Sequence, residues 1–175
     1  MTVRACRLPS NALLRRYDCG GGYTDCYEIE ISGQVALCAY VNAFYTSWLF
    51  KIERAILSLV GQPSTNHQAA EIASGKGVTF AAWNVEAREE DQLLLCDITA
   101  RTRSWFMVIL VPDRVPPKTR LFFGSAITSI KHQTSRREGI GLIFGALIGF
   151  HKLYSRALLA AGTGELQRLN EELKS

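Results

Sequence analysis

The feature that most constrains this chain is an apolar helix pattern, Gly139–Ala161, fed directly by a strand-rich stretch. Ile140, Ile143, Phe144, Leu147, His151, Tyr154, Leu158 and Ala161 recur at three- and four-residue steps, the spacing of one helix face. Only His151, Lys152, Tyr154 and Arg156 titrate along the run. A helix this apolar must lay a side on something, and the preceding sheet is the available partner. The expectation is a cupped sheet with a greasy chamber beneath a closing helix. The helix is expected to stop at Gly162, because glycine favours the position just past a helix end, leaving Glu165–Leu173 as a short polar tail helix. Gly139, Gly141, Gly145 and Gly149 each cost about 1 kcal/mol relative to alanine inside a helix, so the first half reads equally as loop or bent helix.

Ahead of that helix, four strand signals follow closely: Val78–Ala87, Gln92–Thr99, Ser104–Val111 and Lys118–Ser129. Connections this short cannot return a parallel strand, so an antiparallel meander is expected. In Trp105-Phe106-Met107-Val108-Ile109 both parities are apolar, which predicts cover on both faces of the sheet. Tyr23–Ile31 alternates as a half-buried strand, with Tyr23, Asp25, Tyr27, Ile29 and Ile31 on one face. Its leading Gly20-Gly21-Gly22 has neither the lysine nor the following helix of a phosphate loop. Two short helices are expected next. Ser32 can cap the first, and Thr46-Ser47 can start a second whose stripe Leu49, Ile52, Ile56, Leu59 and Val60 ends at Gly61. Gln62–Gly77 reads as loop with one helical turn near Gln68–Ala73.

At 175 residues the chain is expected to form one domain, its core about 20–162 and 163–175 a tail. An apolar share of 47% with 21% charged residues argues against disorder and for something apolar being enclosed. The net charge of +4 is scattered, and its one basic cluster, Lys131, His132, Arg136 and Arg137, lacks the interleaved aromatics of a single-strand nucleic-acid site. No nucleic-acid partner is expected. Five cysteines without a C-x-x-C spacing suit neither a disulfide framework nor a zinc knuckle, and three scattered histidines add no metal spacing. Reduced thiols in the cytoplasm are expected, since Met1–Arg16 also lacks the apolar core of a signal peptide. Ser32–Phe50 is too polar and Gly139–Phe150 too short to span a bilayer, so no integral membrane segment is expected.

Several residue groups look familiar in their order: Tyr23-Thr24-Asp25-Cys26-Tyr27, Trp83, Asp97 followed by Arg103-Ser104-Trp105, Thr119-Arg120-Leu121, and His151-Lys152-Leu153-Tyr154. On these the chain resembles the START-like superfamily, which includes polyketide cyclases and lipid-transfer proteins. More narrowly it is similar to uncharacterised domains that occur alone or behind an NAD(P)-binding, epimerase-like domain. The resemblance covers about residues 20–160 and implies the α+β helix-grip fold, a curved antiparallel sheet wrapped on a long C-terminal helix. It also implies an apolar chamber, no cofactor and no agreed catalytic residues.

The candidate ligand-binding residues are Asp25, Tyr27, Trp83, Trp105, Leu147, His151 and Tyr154. Strand parity sends Asp25 and Tyr27 inward with Ile29 and Ile31, and helical spacing puts His151 and Tyr154 opposite. A plainer reading pairs Asp25 with an arginine such as Arg103 at the rim and gives His151 a backbone carbonyl. Trp83, Trp105, Phe106, Phe122 and Phe123 read as core or chamber wall. Asp97 and Arg103 flank a hairpin and are expected to pair across it. Three classes of function follow. The first is binding of a hydrophobic or amphipathic small molecule or lipid in a chamber of a few hundred cubic ångströms. The second is a cyclase- or hydrolase-like enzyme moving a proton through Asp25 or His151. The third is a scaffold that meets another protein.

Overall fold

A computed structural model of the chain describes residues 2–18, 22–59, 61–112, 116–128 and 138–172, with the backbone alone described for 138–151 and 170. In chain order these form β1 (Arg4–Ala5), a 3-10 turn (Leu13–Tyr17), β2 (Tyr23–Ser32), α1 (Leu37–Thr46), α2 (Trp48–Leu59) and α3 (Asn66–Ser74). Then come β3 (Thr79–Phe80), β4 (Trp83–Arg88), β5 (Gln92–Asp97), β6 (Thr102–Val111), β7 (Lys118–Ile127) and α4 (Glu138–Glu172). The architecture is α+β. One curved sheet is ordered β1-β2-β7-β6-β5-β4-β3 with every pairing antiparallel. The expected meander from β4 to β7 is present, and β2 closes on β7 over ten paired positions.

Alternation divides the sheet between two layers. On the inner face Tyr27, Ile29, Ile31, Phe80, Leu93, Leu95, Phe106, Leu121 and Phe123 pack against α1, α3 and the second half of α4. Phe44 of α1 is the hub, with its ring centroid 4.8 Å from those of both Phe106 and Phe123. Edge-on and tilted contacts of this kind favour the ring quadrupoles as well as apolar burial. On the outer face Leu94, Trp105, Met107, Phe122 and Cys26 are covered by the N-terminal segment through Ala12 and Leu14. Gly124 makes that cover possible. A Cβ there would lie 2.9 Å from the Leu14 side chain and 3.1 Å from the Trp105 ring.

Several expectations need correction. Helix α4 does not stop at Gly162; it runs through Gly162 and Gly164 to Glu172, so there is no separate tail helix. Gly162 serves close approach instead, since a Cβ there would sit 3.0 Å from the Phe44 Cα and the two helices touch backbone to backbone. Its glycine-rich first half is helical in backbone. Ser32 ends β2 and caps nothing; α1 follows Ala36, which offers no side-chain cap. Ser47 does start α2, its hydroxyl accepting from the Phe50 amide at 3.4 Å. The loop expected over Gln62–Gly77 holds a full helix, α3, opened by a reciprocal Thr65–Gln68 capping box. Val78–Ala87 is two strands, because the chain reverses after Phe80 with Ala81 at φ 50°.

The apolar stripe of α2 faces outward. Trp48, Ile52, Ile56 and Leu59 are 51–86% exposed, and Phe50 is the one buried residue of that helix. Helix α1 already occupies the sheet beneath, so α2 reaches the core only through Phe50 and the partly buried Leu49. The Asp97–Arg103 bridge does not form either. Arg103 stands opposite Cys96, which puts Asp97 and Arg103 on opposite faces. Asp97 instead accepts from the Arg101 and Thr102 amides at 2.8 and 3.0 Å and closes its own turn. Arg103 pairs with Glu86 at 3.0 Å and covers the Tyr17 ring. The basic cluster of Lys131, His132, Arg136 and Arg137 lies outside the described residues.

Candidate functional site

Three strands carry two matching rows across the inner face. The register places Phe106 opposite Phe123 and Phe123 opposite Tyr27, an aromatic row. Two residues along, it places Ser104 opposite Ser125 and Ser125 opposite Asp25, a polar row of much smaller side chains. The drop from phenyl rings to serines leaves a step in the sheet surface. Helices α1, α2 and α4 bridge over it, and a cavity of about 100 Å³ remains. Phe44, Tyr45, Phe50, Trp83, Phe123 and Leu158 give its apolar wall, while Thr102, Ser104, Ser125, Tyr154 and Ser155 supply hydroxyls.

Asp25 borders this cavity through Ser125. Its carboxylate accepts from the Ser125 amide at 3.0 Å, the Ser125 hydroxyl at 2.6 Å and the Tyr23 hydroxyl at 3.0 Å. These donors hold it in place, and Arg103 instead pairs with Glu86. Burial, and then the nearby Asp25 charge, hold the Tyr23 phenol well above its ordinary range and push that of Tyr27 up to about 12. The Tyr23 phenol donates to Asp25. Helix α4 closes over this end with Lys152 and Arg156, each cation 5.7 Å from the Tyr23 and Tyr27 ring centroids respectively.

On the α2 side of the cavity, the Tyr154 hydroxyl donates to the Glu53 carboxylate. Burial raises the Glu53 carboxyl above its ordinary value, partly countered by that bond. Burial and the adjacent Glu53 likewise push the Tyr154 phenol far up. The pair ties α2 to α4.

Of the residues singled out in the sequence, the structure brings Trp83 and Tyr154 onto the cavity wall, sets Asp25 at its border and buries Tyr27 in the adjoining core. Trp105 is corrected: it lies in the outer layer, its indole N–H donating to Gln92 Oε1 at 3.0 Å, because Phe106 takes the inward parity. Leu147 and His151 have side chains outside the described residues. Ser104, Ser125, Ser155, Glu53 and the α1–α2 aromatics were missed. Small polar residues at inward parity, two positions from Phe106 and Phe123, were the available signal for the two strand serines. Glu53 had none, since its orientation follows from how α2 sits on α4.

Among the described residues no three His, Cys, Asp or Glu side chains converge to hold a metal ion, and no helix is long and apolar enough to cross a membrane. No family model, curated protein or solved structure matches this chain.

Proposed function

We propose that the protein binds a small amphipathic molecule in the cavity between the sheet and α4, as a START-like domain of helix-grip type. The carrying observation is the hollow over the Ser104–Ser125–Asp25 row, walled by rings and edged by hydroxyls. Ligand sites combine an apolar lining with a few placed polar groups in this way. The volume of about 100 Å³ narrows the guest. It falls below the roughly 300 Å³ at which drug-sized sites begin, and near the scale of an apolar cavity of about 150 Å³ that takes up benzene. A single ring carrying one hydroxyl or carbonyl is the class that fits, the small-molecule end of the small molecule or lipid expected from sequence. The polar substituent would meet the serine hydroxyls while the ring packs against Phe44, Phe50 and Trp83.

Calorimetric titration with phenol, with benzene and with a long-chain fatty acid tests this reading. Phenol is expected to bind most tightly and the fatty acid not at all. Ser155→Leu, which fills the cavity from α4, is expected to abolish phenol uptake while leaving the fold intact by circular dichroism. Uptake unchanged in that variant, or none in the parent protein, would overturn the proposal.

A further inference from the structure

The outer face carries a second chemically competent site, unrelated to the cavity. Cys6 follows β1 and faces Cys26 of β2, with the Cys6 amide donating to the Cys26 carbonyl at 3.0 Å and the two sulfurs 3.2 Å apart. Directly opposed residues of an antiparallel pair have Cα atoms about 4.5–5.5 Å apart, inside the roughly 4.4–6.8 Å span that a disulfide accepts. We infer that Cys6 and Cys26 form a thiol–disulfide exchange site, a dithiol that a soluble disulfide of the glutathione class oxidises to a bridge between the N-terminal segment and β2.

The two thiols are unequal in a way the chemistry needs. Both line an open cleft of about 480 Å³ together with Arg7, Arg15, Asp18, Thr24 and Asp25, but Cys6 is half-buried whereas Cys26 is 5% exposed. Sharing a proton with Cys26 lowers the Cys6 thiol from its ordinary value, and the same contact together with burial raises Cys26. Cys6 is thus the more accessible and more acidic thiol, the one placed to attack, and Cys26 is the resolving partner. Arg7 and Arg15 offer positive charge to a carboxylate-bearing disulfide in that cleft. The Cys6 thiolate attacks one sulfur of the reagent, forming a mixed disulfide and releasing one thiolate. Cys26 then gives its proton to that thiolate and attacks the Cys6 sulfur, expelling a second thiolate, which takes up from solvent the proton that Cys6 lost on ionising. The protein loses two protons and two electrons in all, and the external disulfide takes them up to become two thiols.

The bridge would sit where it matters mechanically. β1 holds β2 through two residue pairs, and the N-terminal segment it anchors is the outer cover that seats Leu14 beside Gly124. Oxidation staples that cover to the sheet; reduction leaves it held by the short ladder and by packing. Among the described residues Cys38 and Cys96 touch no other thiol.

The test is incubation of the full chain in oxidised glutathione, followed by non-reducing peptide mapping and hydrogen exchange. A mass loss of two hydrogens is expected, with a Cys6–Cys26 linked peptide that dithiothreitol reverses and slower exchange at residues 4–6 and 13–17. A variant carrying C19S, C38S and C96S keeps both thiols and is expected to oxidise identically. C26S is expected to stop at a stable glutathione adduct on Cys6. A bridge mapped to any other cysteine, or a triple variant that gains no bridge, would overturn the inference even if C26S failed to fold.

Discussion

The two faces of the sheet are covered by different means. Inside, helices bring large rings to meet large rings, and where the strand sequence drops to Ser104, Ser125 and Asp25 nothing descends to fill the step. Outside, an irregular segment descends fully: Leu14 is buried against the sheet beside Gly124, and Gln92 serves as a polar knot. Gln92 is fully buried, accepting from the Leu13 amide and the Trp105 indole while donating to the Asn11 carbonyl. A rigid helix must bridge a depression, whereas a pliable segment follows it. The inner layer therefore keeps a cavity over the serine row, whereas the outer layer closes over Trp105 beside Gly124 and stays open only at the cleft along Cys6 and Cys26.

The largest expected effect is at the hub of the inner layer. Phe44→Ala removes a ring that meets five others, and a loss of about 3–5 kcal/mol is expected by denaturant unfolding. A loss under about 1 kcal/mol would mean that the inner layer collapses readily and that the cavity is not held open by the packing around it. On the outer face, Gln92→Ala strands the Leu13 amide and the Trp105 indole, and about 1–3 kcal/mol is expected for an orphaned buried group. Faster exchange of the Leu13 amide should accompany it, and unchanged exchange would show the knot to be dispensable.

Gly162→Ala examines the helix-to-helix contact. Crowding against the Phe44 backbone costs about 1–3 kcal/mol, offset by about 1 kcal/mol of helix propensity, so a net loss near 1 kcal/mol is expected. A gain in melting temperature would place α4 farther from α1.

Glu53 supplies a pH signature for the inner layer. Its carboxyl is raised above the ordinary 4.5 on folding, mainly by burial, so the folded chain holds that proton more tightly than the unfolded chain. Its contribution is full below 4.5 and is lost as pH rises through the folded value. Glu53→Gln, which retains an acceptor for Tyr154, should therefore lose less stability than the parent protein as pH is raised through that window. Parallel stability curves would place Glu53 in water. The smallest effect is expected on the outward stripe of α2, where Ile56→Ser should change stability by no more than about 0.5 kcal/mol. A larger cost would return that stripe to the core.

Much of this was legible in the residues. Alternation in Tyr23–Ile31 assigned Asp25 and Tyr27 to the inner face, and apolar residues at both parities of Trp105–Ile109 announced two covered faces. The site was legible only in part. Trp105 and Phe106 are equally apolar neighbours, and sequence holds no mark of which parity faces the helices. Likewise Gly162 has one spelling for a helix stop and for a helix contact, and only the approach of Phe44 distinguishes them.

By itself the sequence determined the strands of the meander, the long closing helix and the inward parity of β2, because each is a local periodicity imposed by backbone geometry. Tertiary structure alone decided which face of α2 meets water, where Arg103 finds its partner, and that a cavity of about 100 Å³ survives over the serine row. Those outcomes depend on which elements reach the sheet first and on how far rigid helices can settle, quantities that no single segment encodes.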